Sequence, residues 1–536
     1  MHLATVFESV ADSVGDATAI VQGGTRRGWR EFDDRAARLA AGFLAAGAGR
    51  NTKVAQYLYN SPEYLETYYA ALKIRAVPAN VNYRYLDEEL LYLLENSDAE
   101  VLVFHSSLGD RVDRVKERAR NLKLLVEVDD GGQPIDGAVP YEELVAGNDP
   151  APRIERDPRD ISMIYTGGTT GMPKGVMTPV GPGLAAILES TPALIGLGPV
   201  NDPAEVAVLA KRLAAEGRLL ACLPACPLMH ATGLAIGALP GLTFGGSVVL
   251  LEGRGLDTDE LWSTVEREQV VSLTVVGDAF ARPLLRELNE GPPRDLSSLL
   301  LICSSGAMFS ADIKAGLLEH APHAMILDFI AATEGAMGVS ISTKDNPAPT
   351  GRFMPGPGVK VFTEDDREVA PGSGQSGVVA IPGAIPDGYY KDEIKTAGTF
   401  REIGGVRYSV PGDWASVEVD GSISLLGRGS QCINTGGEKV YPEEVEEAVK
   451  RHPDIDDCLV FGIVDDRFGQ KVVGVASPAP GAEADVEAVL ADLRQKLSAY
   501  KVPRRLELVD TVPRAPNGKA DYPTARAMFE TADEMS

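Results

Sequence analysis

Positive charge is in deficit in this chain of 536 residues: 51 lysines and arginines stand against 77 aspartates and glutamates, a formal net charge of −26. That balance excludes a protein that grips nucleic acid by neutralising phosphates. Cysteine is scarce too. The five thiols, Cys222, Cys226, Cys303, Cys432 and Cys458, are odd in number and lie mostly in apolar runs. They argue against a disulfide framework and, with no second Cys/His pair at ligand spacing, against a zinc site. The first residues lack a basic start and carry Glu8 and Asp12 where a signal peptide has its apolar run, so the expected location is the cytoplasm. Formal charge is missing from Leu219 to Leu251, a stretch long enough to cross a bilayer. Pro224, Pro227, Pro240, His230 and several glycines interrupt it, so the expectation is a loop, a helix and a buried strand, with no transmembrane segment. Low-complexity blocks and internal repeats are absent.

What is present is a globular core. Apolar residues make up 44% of the chain, and 56 glycines and 36 prolines are scattered without a period, as in an enzyme with many tight turns. Helical and extended stretches alternate through the first 330 residues: a helix over Trp29 to Ala46, a strand from Lys53, and a helix to Lys73 opened by Ser61, Pro62 and Glu63. That opening supplies an N-cap, a first-turn proline and a carboxylate at the positive end of the dipole. Such alternation predicts an α/β fold with parallel sheet and helical crossovers. From Gly351 to Gly427 short strands with Gly/Pro turns predict a small β-rich subdomain. Beyond Gly436 and Gly437 two helices and three strands form a small α+β unit. The boundaries expected are a large N-terminal domain, 1–430, and a C-terminal domain, 431–536.

The strongest local signal is YTGGTTGMPKGVM, Tyr165 to Met177. Thr166, Gly167, Gly168, Thr169, Thr170 and Gly171 offer bare backbone N–H groups and hydroxyls to a phosphate chain, with Lys174 as counter-charge. It is not a Walker A loop, because Pro173 precedes the lysine and Gly175 follows it where a Ser or Thr would hold magnesium. Both flanks read as extended, so the loop joins two strands.

This loop resembles the phosphate-binding signature of the adenylate-forming superfamily of acyl-CoA synthetases, peptide-synthetase adenylation domains and luciferases. The resemblance covers essentially the whole chain, since further segments similar to family motifs follow in order. PLMHATG (227–233) resembles the segment at the acyl pocket and implies that His230 lines the carboxylate site, with Gly233 and, from a later segment, Ala332 in the acyl pocket. SSGA (304–307) resembles the adenine loop, with Gly306 and Ala307 against the base. ATEG (332–335) resembles the motif in which Thr333 meets the α-phosphate and Glu334 holds Mg²⁺. YSVPGDW (408–414) implies that Asp413 binds the ribose hydroxyls, and the run from Leu426 to Lys439 implies Arg428 on the nucleotide and a hinge at Gln431. PRAPNGK (513–519) matches the loop carrying the family's catalytic lysine, here Lys519. The resemblance further implies that ATP, Mg²⁺ and coenzyme A serve the reaction and that the small domain is mobile. Gly436, Gly437 and Lys439 would then line the thiol tunnel, with Lys501 and Arg504 meeting the coenzyme A phosphates. A solvated basic turn is the other reading of that last pair.

Three positions depart from the family pattern: Ile330 replaces an aromatic that stacks on adenine, Gln431 a charged hinge residue, and Gly168 a common serine. The expected function is an AMP-forming acyl-CoA ligase, with a small-molecule carboxylic acid as partner. An acyl-AMP ligase loading a carrier protein in trans, or a degenerate nucleotide-binding protein, are the alternatives. A homodimer is compatible with the sequence. Small residues, Gly233, Gly237, Ala331, Ala332 and Gly335, would leave room for a bulky hydrophobic acid unless neighbouring side chains fill it. Val275 to Phe280 also resembles bacterial synthetases of steroid side-chain acids.

Overall fold

The computed structural model describes residues 1–535 other than 167–171, 195, 429–430, 432, 436–437, 466–468, 498 and 516–517; the side chains of 428, 434, 438, 439, 469 and 530–535 also lie outside the description. The alternation read from the sequence resolves into two large sheets. In the eight-stranded sheet, Lys53–Tyr57 lies parallel between Val77–Asn80 and Ala99–His105, and beyond Val77–Asn80 come the hairpin Ile161–Thr166 with Lys174–Pro179 and the edge strand Gly388–Tyr389. The helix Pro62–Lys73 starts as its cap residues predict, with Ser61 Oγ accepting from Tyr64 N at 3.3 Å.

The thirteen-stranded sheet has a parallel core, Ser247–Leu250, Ala221–Pro224, Ser272–Val275, Leu301–Ser305 and Met325–Ala332. Ala221–Pro224, expected as a loop, is a strand because its Cys222 and Leu223 have parallel partners on both sides. The uncharged stretch continues as a π-helix, Thr232–Ala238, and a short α-helix, Leu239–Thr243. Among the described residues no helix is long and apolar enough to cross a membrane. The β-rich stretch after Gly351 joins this sheet antiparallel, through Gly335–Ser342 and Arg352–Pro355 to Ile423–Arg428 and Asp413–Val417.

Between Arg428 and Ile433 the chain leaves that sheet for another. Ile455–Asp465 and Gly469–Pro478 form a long antiparallel pair, extended by Ile433–Thr435, Glu438–Val440 and the parallel strand Arg505–Leu508. The helices Pro442–Lys450, Val486–Lys496 and Tyr522–Met535 accompany it. This unit buries its own clusters, around Val445, Val460 and Leu493 on one side and Phe461, Val475 and Phe529 on the other. Glu8, which argued against a leader peptide, is buried in the first helix and answered by Lys73 at 3.1 Å and Arg156 at 2.8 Å. Cys222, Cys226, Cys303 and Cys458 are buried, free thiols, as their apolar surroundings suggested.

Candidate active site

The strand Leu301–Ser305 ends in Gly306, whose φ of +94° is a left-handed conformation that suits glycine. A Cβ there would stand 3.3 Å from Lys519 Cε and 3.8 Å from Thr232 Oγ1, so the C-terminal unit delivers Lys519 into the N-terminal part. Ser304 Oγ on the same strand accepts from Gly277 N at 3.0 Å, pinning the start of the helix Gly277–Glu290. Gly518 packs against that helix, a Cβ there meeting Phe280 at 3.2 Å and Ala279 at 3.3 Å.

His230 precedes the π-helix, a kind of helix often found at functional sites. Its Nε2 is buried with no hydrogen-bond partner among the described residues. Burial, reinforced by the Lys519 ammonium, lowers its pKa to about 4. The imidazole is therefore neutral at physiological pH and presents an unanswered polar atom to the centre. The sign follows: the unfolded chain protonates His230 near the ordinary value of 6.5, the folded chain near 4. Its stability contribution is present above about 6.5 and lost as pH falls through about 4. Titrating the histidine ring signals by NMR should place His230 and the buried His2 both near 4, and Lys519→Ala should move only the His230 signal upward; an unmoved value would separate the two side chains.

Thr333 and Glu334 form the turn between Met325–Ala332 and Gly335–Ser342, in which Ala332 pairs with Gly335. Tyr389, from the other large sheet, donates its hydroxyl to Glu334 Oε1. Lys174 opens the strand that follows the glycine-rich loop, and its ammonium is answered by Asp392. Gly167, Gly168, Thr169, Thr170 and Gly171 lie outside the described residues, but Thr166 opposite Lys174 confirms that the loop closes a hairpin. Asp413, 9% exposed, starts its strand opposite the backbone of Arg428.

Some expectations are redirected. Gly233 and Gly237 provide no room: a Cβ on Gly233 would lie 2.3 Å from Pro227 O, and one on Gly237 2.8 Å from Pro224 Cβ. Gly335 is closed in the same way by Ile381 at 3.0 Å. These glycines allow close packing, and the sequence alone left both readings open. Ile330 is 6% exposed in a cluster with Val176, Met337 and Ile381. Lys501 is engaged by Glu444 at 2.6 Å, whereas Arg504 is exposed. Gly436 and Gly437, with the side chains of Arg428 and Lys439, lie outside the description. Gln431 lies in the passage between the two sheets.

Asn80 was not singled out from the sequence. Its amide donates to Met229 O at 2.6 Å and Tyr165 O at 3.2 Å, and its oxygen accepts from Tyr165 N at 2.6 Å. It ties the root of the glycine-rich loop to the residue before His230. Nothing local marks such an asparagine, because both partners are distant in the chain. Tyr389 and Asp392 were missed for the same reason.

The family model described as AMP-binding enzyme matches residues 7–390, and that described as AMP-binding enzyme C-terminal domain matches 444–519. A Mycobacterium marinum protein named medium/long-chain-fatty-acid–CoA/3-oxocholest-4-en-26-oate–CoA ligase is 39% identical, covering 100% of this chain and 98% of that protein. A Rhodococcus rhodochrous 3-oxocholest-4-en-26-oate–CoA ligase is 38% identical over 100% of this chain and 97% of its own. Among solved structures, an anthranilate CoA ligase in complex with anthranoyl-AMP superposes with a TM-score of 0.86 at 21% identity, covering 100% of this chain and 98% of the other. ATP-bound MatB from Rhodopseudomonas palustris gives 0.81 at 24%, covering 99% of each chain.

Proposed function

The chain belongs to the AMP-binding enzyme family as an AMP-forming acid–thiol ligase, and from that premise we propose how its residues divide the work and which acids it takes. The observation that carries the reading is the Lys519 side chain set beside Gly306 and His230.

In the first half-reaction a carboxylate oxygen bonds to the α-phosphorus of ATP and pyrophosphate leaves, giving acyl-AMP. Two anions approach each other, so preorganised positive charge at that point lowers the barrier. Lys519 supplies it, and neutral His230 offers its ring nitrogen to the acid without adding a competing charge. Thr333 and the loop around Gly167 and Thr170 hold phosphate oxygens, Gly306 and Ala307 face adenine, and Asp413 and Arg428 hold the nucleotide. Lys174 reaches the phosphates by exchanging Asp392 for them. Glu334 fits a magnesium ion that arrives on the triphosphate, since one carboxylate plus phosphate oxygens is a usual set for that cation and, among the described residues, only Oε1 is engaged, by Tyr389. Bound there, the cation would offset phosphate charge.

In the second half-reaction a thiolate attacks the acyl carbonyl and AMP leaves. Lys519 occupies that neighbourhood, so the small unit must turn about the passage at Gln431 before the thiol enters. A cleft of about 610 Å³ between the two units counts Pro227 and Gly518 among its walls, the first accepting through its carbonyl from His230 N and the second next in the chain to Lys519, and gives the acceptor its approach. Arg84, Arg254 and Arg286 line it and suit the phosphates of coenzyme A, Arg254 by exchanging Asp130 for them and Arg286 by exchanging Asp456 once the small unit turns away. With Lys501 held by Glu444, these arginines supplement the basic segment expected from the sequence.

For the acid, the support is an incompletely covered apolar face. On the side facing the π-helix, Leu301, Cys303 and Leu327 are covered by Leu194, Ile236, Phe329 and Val339. At the rim Ile341 and Met354 stay 47% and 56% exposed. The strands beneath lead directly to Gly306 and Thr333, so the tail of a bulky hydrophobic acid lies along this strip with its carboxylate at His230. The relatives' named substrates, fatty acids and a steroid side-chain acid, have that chemistry. Ile236→Trp is expected to lower kcat/KM for long or steroid-like acids by about tenfold, with short acids little changed; an equal loss for all would remove the strip from the tail's path.

Pyrophosphate release and free-thiol consumption, followed in parallel with ATP, Mg²⁺ and coenzyme A over acids from acetate to steroid side chains, test the reading. Both signals with bulky acids support it. Pyrophosphate without thiol loss would mean a carrier-protein acceptor, and preference for acetate would overturn the substrate class.

A further inference from the structure

Lys519 is held by a chain of contacts that starts on the N-terminal part. Its turn is closed by Ala515 N donating to Lys519 O and Gly518 N donating to Ala515 O, both at 2.8 Å. Arg514 donates to Gly518 O at 3.1 Å and grips both oxygens of Asp457, one at 2.6 Å. Asp457 adjoins Asp456 at the start of the strand Ile455–Asp465, where the register with the neighbouring strand slips between Ile455 and Asp457. A bulge of this kind redirects a side chain. Here Asp456 meets Arg286 at 3.2 Å and Arg282 at 3.9 Å, both on the helix Gly277–Glu290, against which Gly518 also packs. Lys450 lies 3.8 Å from Asp278 on the same helix.

We propose that Asp456, Asp457 and Arg514 are positioning residues that convert seating of the C-terminal unit on the helix Gly277–Glu290 into placement of the Lys519 ammonium beside Gly306 and His230. Asp456 seats the unit. Asp457, through Arg514, fixes the carbonyl immediately before Lys519, so a shift of the strand is passed to the lysine. Arg514 is thereby more than a buried ion-pair partner: its third contact is to the loop backbone, and lysine, with one point charge, could not make the bidentate grip and that contact together. This inference rests on the reading that Lys519 serves acyl-AMP formation.

The test measures each half-reaction separately in the full-length protein, acyl-AMP formation by pyrophosphate release and thioester formation from supplied acyl-AMP. Arg514→Met should slow the first by about 10²-fold, the size of effect that a 1 Å misplacement produces. Its KM for ATP and its rate from supplied acyl-AMP should hold. Asp456→Asn removes only the contact to the helix and should slow acyl-AMP formation by about threefold, as for a partly exposed ion pair. Asp456→Arg combined with Arg286→Glu should recover part of that loss. Equal losses in both half-reactions for Arg514→Met would mean a merely structural role, and an unaltered first half-reaction in Asp456→Asn would break the chain at its first link. Lys519→Ala is the control. If it leaves acyl-AMP formation intact, the reading of Lys519 fails; if it abolishes that step while the other variants act normally, only the positioning inference fails.

Discussion

Lys519→Ala should slow acyl-AMP formation by about 10²–10³, the usual effect of removing one preorganised group that stabilises charge in the transition state. Thioester formation from supplied acyl-AMP should keep its rate within about twofold, because thiol attack requires the lysine to have left the site. The asymmetry follows from where the residue is carried. Its Cε stands beside Gly306, yet its backbone belongs to the unit built around Ile455–Asp465. The ribose and magnesium candidates, Asp413 and Glu334, belong to the other. Substituting an exposed side chain at the end of a turn leaves both cores untouched, so loss of folding is not expected. Equal loss of the two half-reactions would refute this division of labour.

Glu334→Gln should reduce acyl-AMP formation by a similar factor, about 10²–10³, and shift the Mg²⁺ concentration needed for half-maximal rate upward. The glutamine keeps the shape of the turn between Met325–Ala332 and Gly335–Ser342 and can still accept from the Tyr389 hydroxyl. What it removes is negative charge, which a hard cation requires. Tyr389→Phe supplies the comparison: it breaks the hydrogen bond to Oε1 but leaves the carboxylate charged, so its loss should be far smaller. Equal losses in the two variants would make Glu334 a structural residue of the turn, and unchanged Mg²⁺ dependence in Glu334→Gln would remove it from the metal.

The amino-acid sequence by itself determined the local elements and the order of the chemical segments. Ser61, Pro62 and Glu63 start a helix because they satisfy its first backbone donors, and Thr166 and Lys174 end facing strands because both flanks of the glycine-rich loop are extended. These demands are met within a few residues, so spacing is enough to read them. The tertiary structure decided which distant groups meet. It paired Lys174 with Asp392, closed the space at Gly335 with the Ile381 side chain, and set Asn80 between Tyr165 and Met229. It also brought Lys519 to His230 and Gly306. None of these has a local signature, because a charge or an amide finds its partner only after sheets and helices have packed. In an acidic chain many carboxylates could answer any one cation, and only the seating of the two units selects among them.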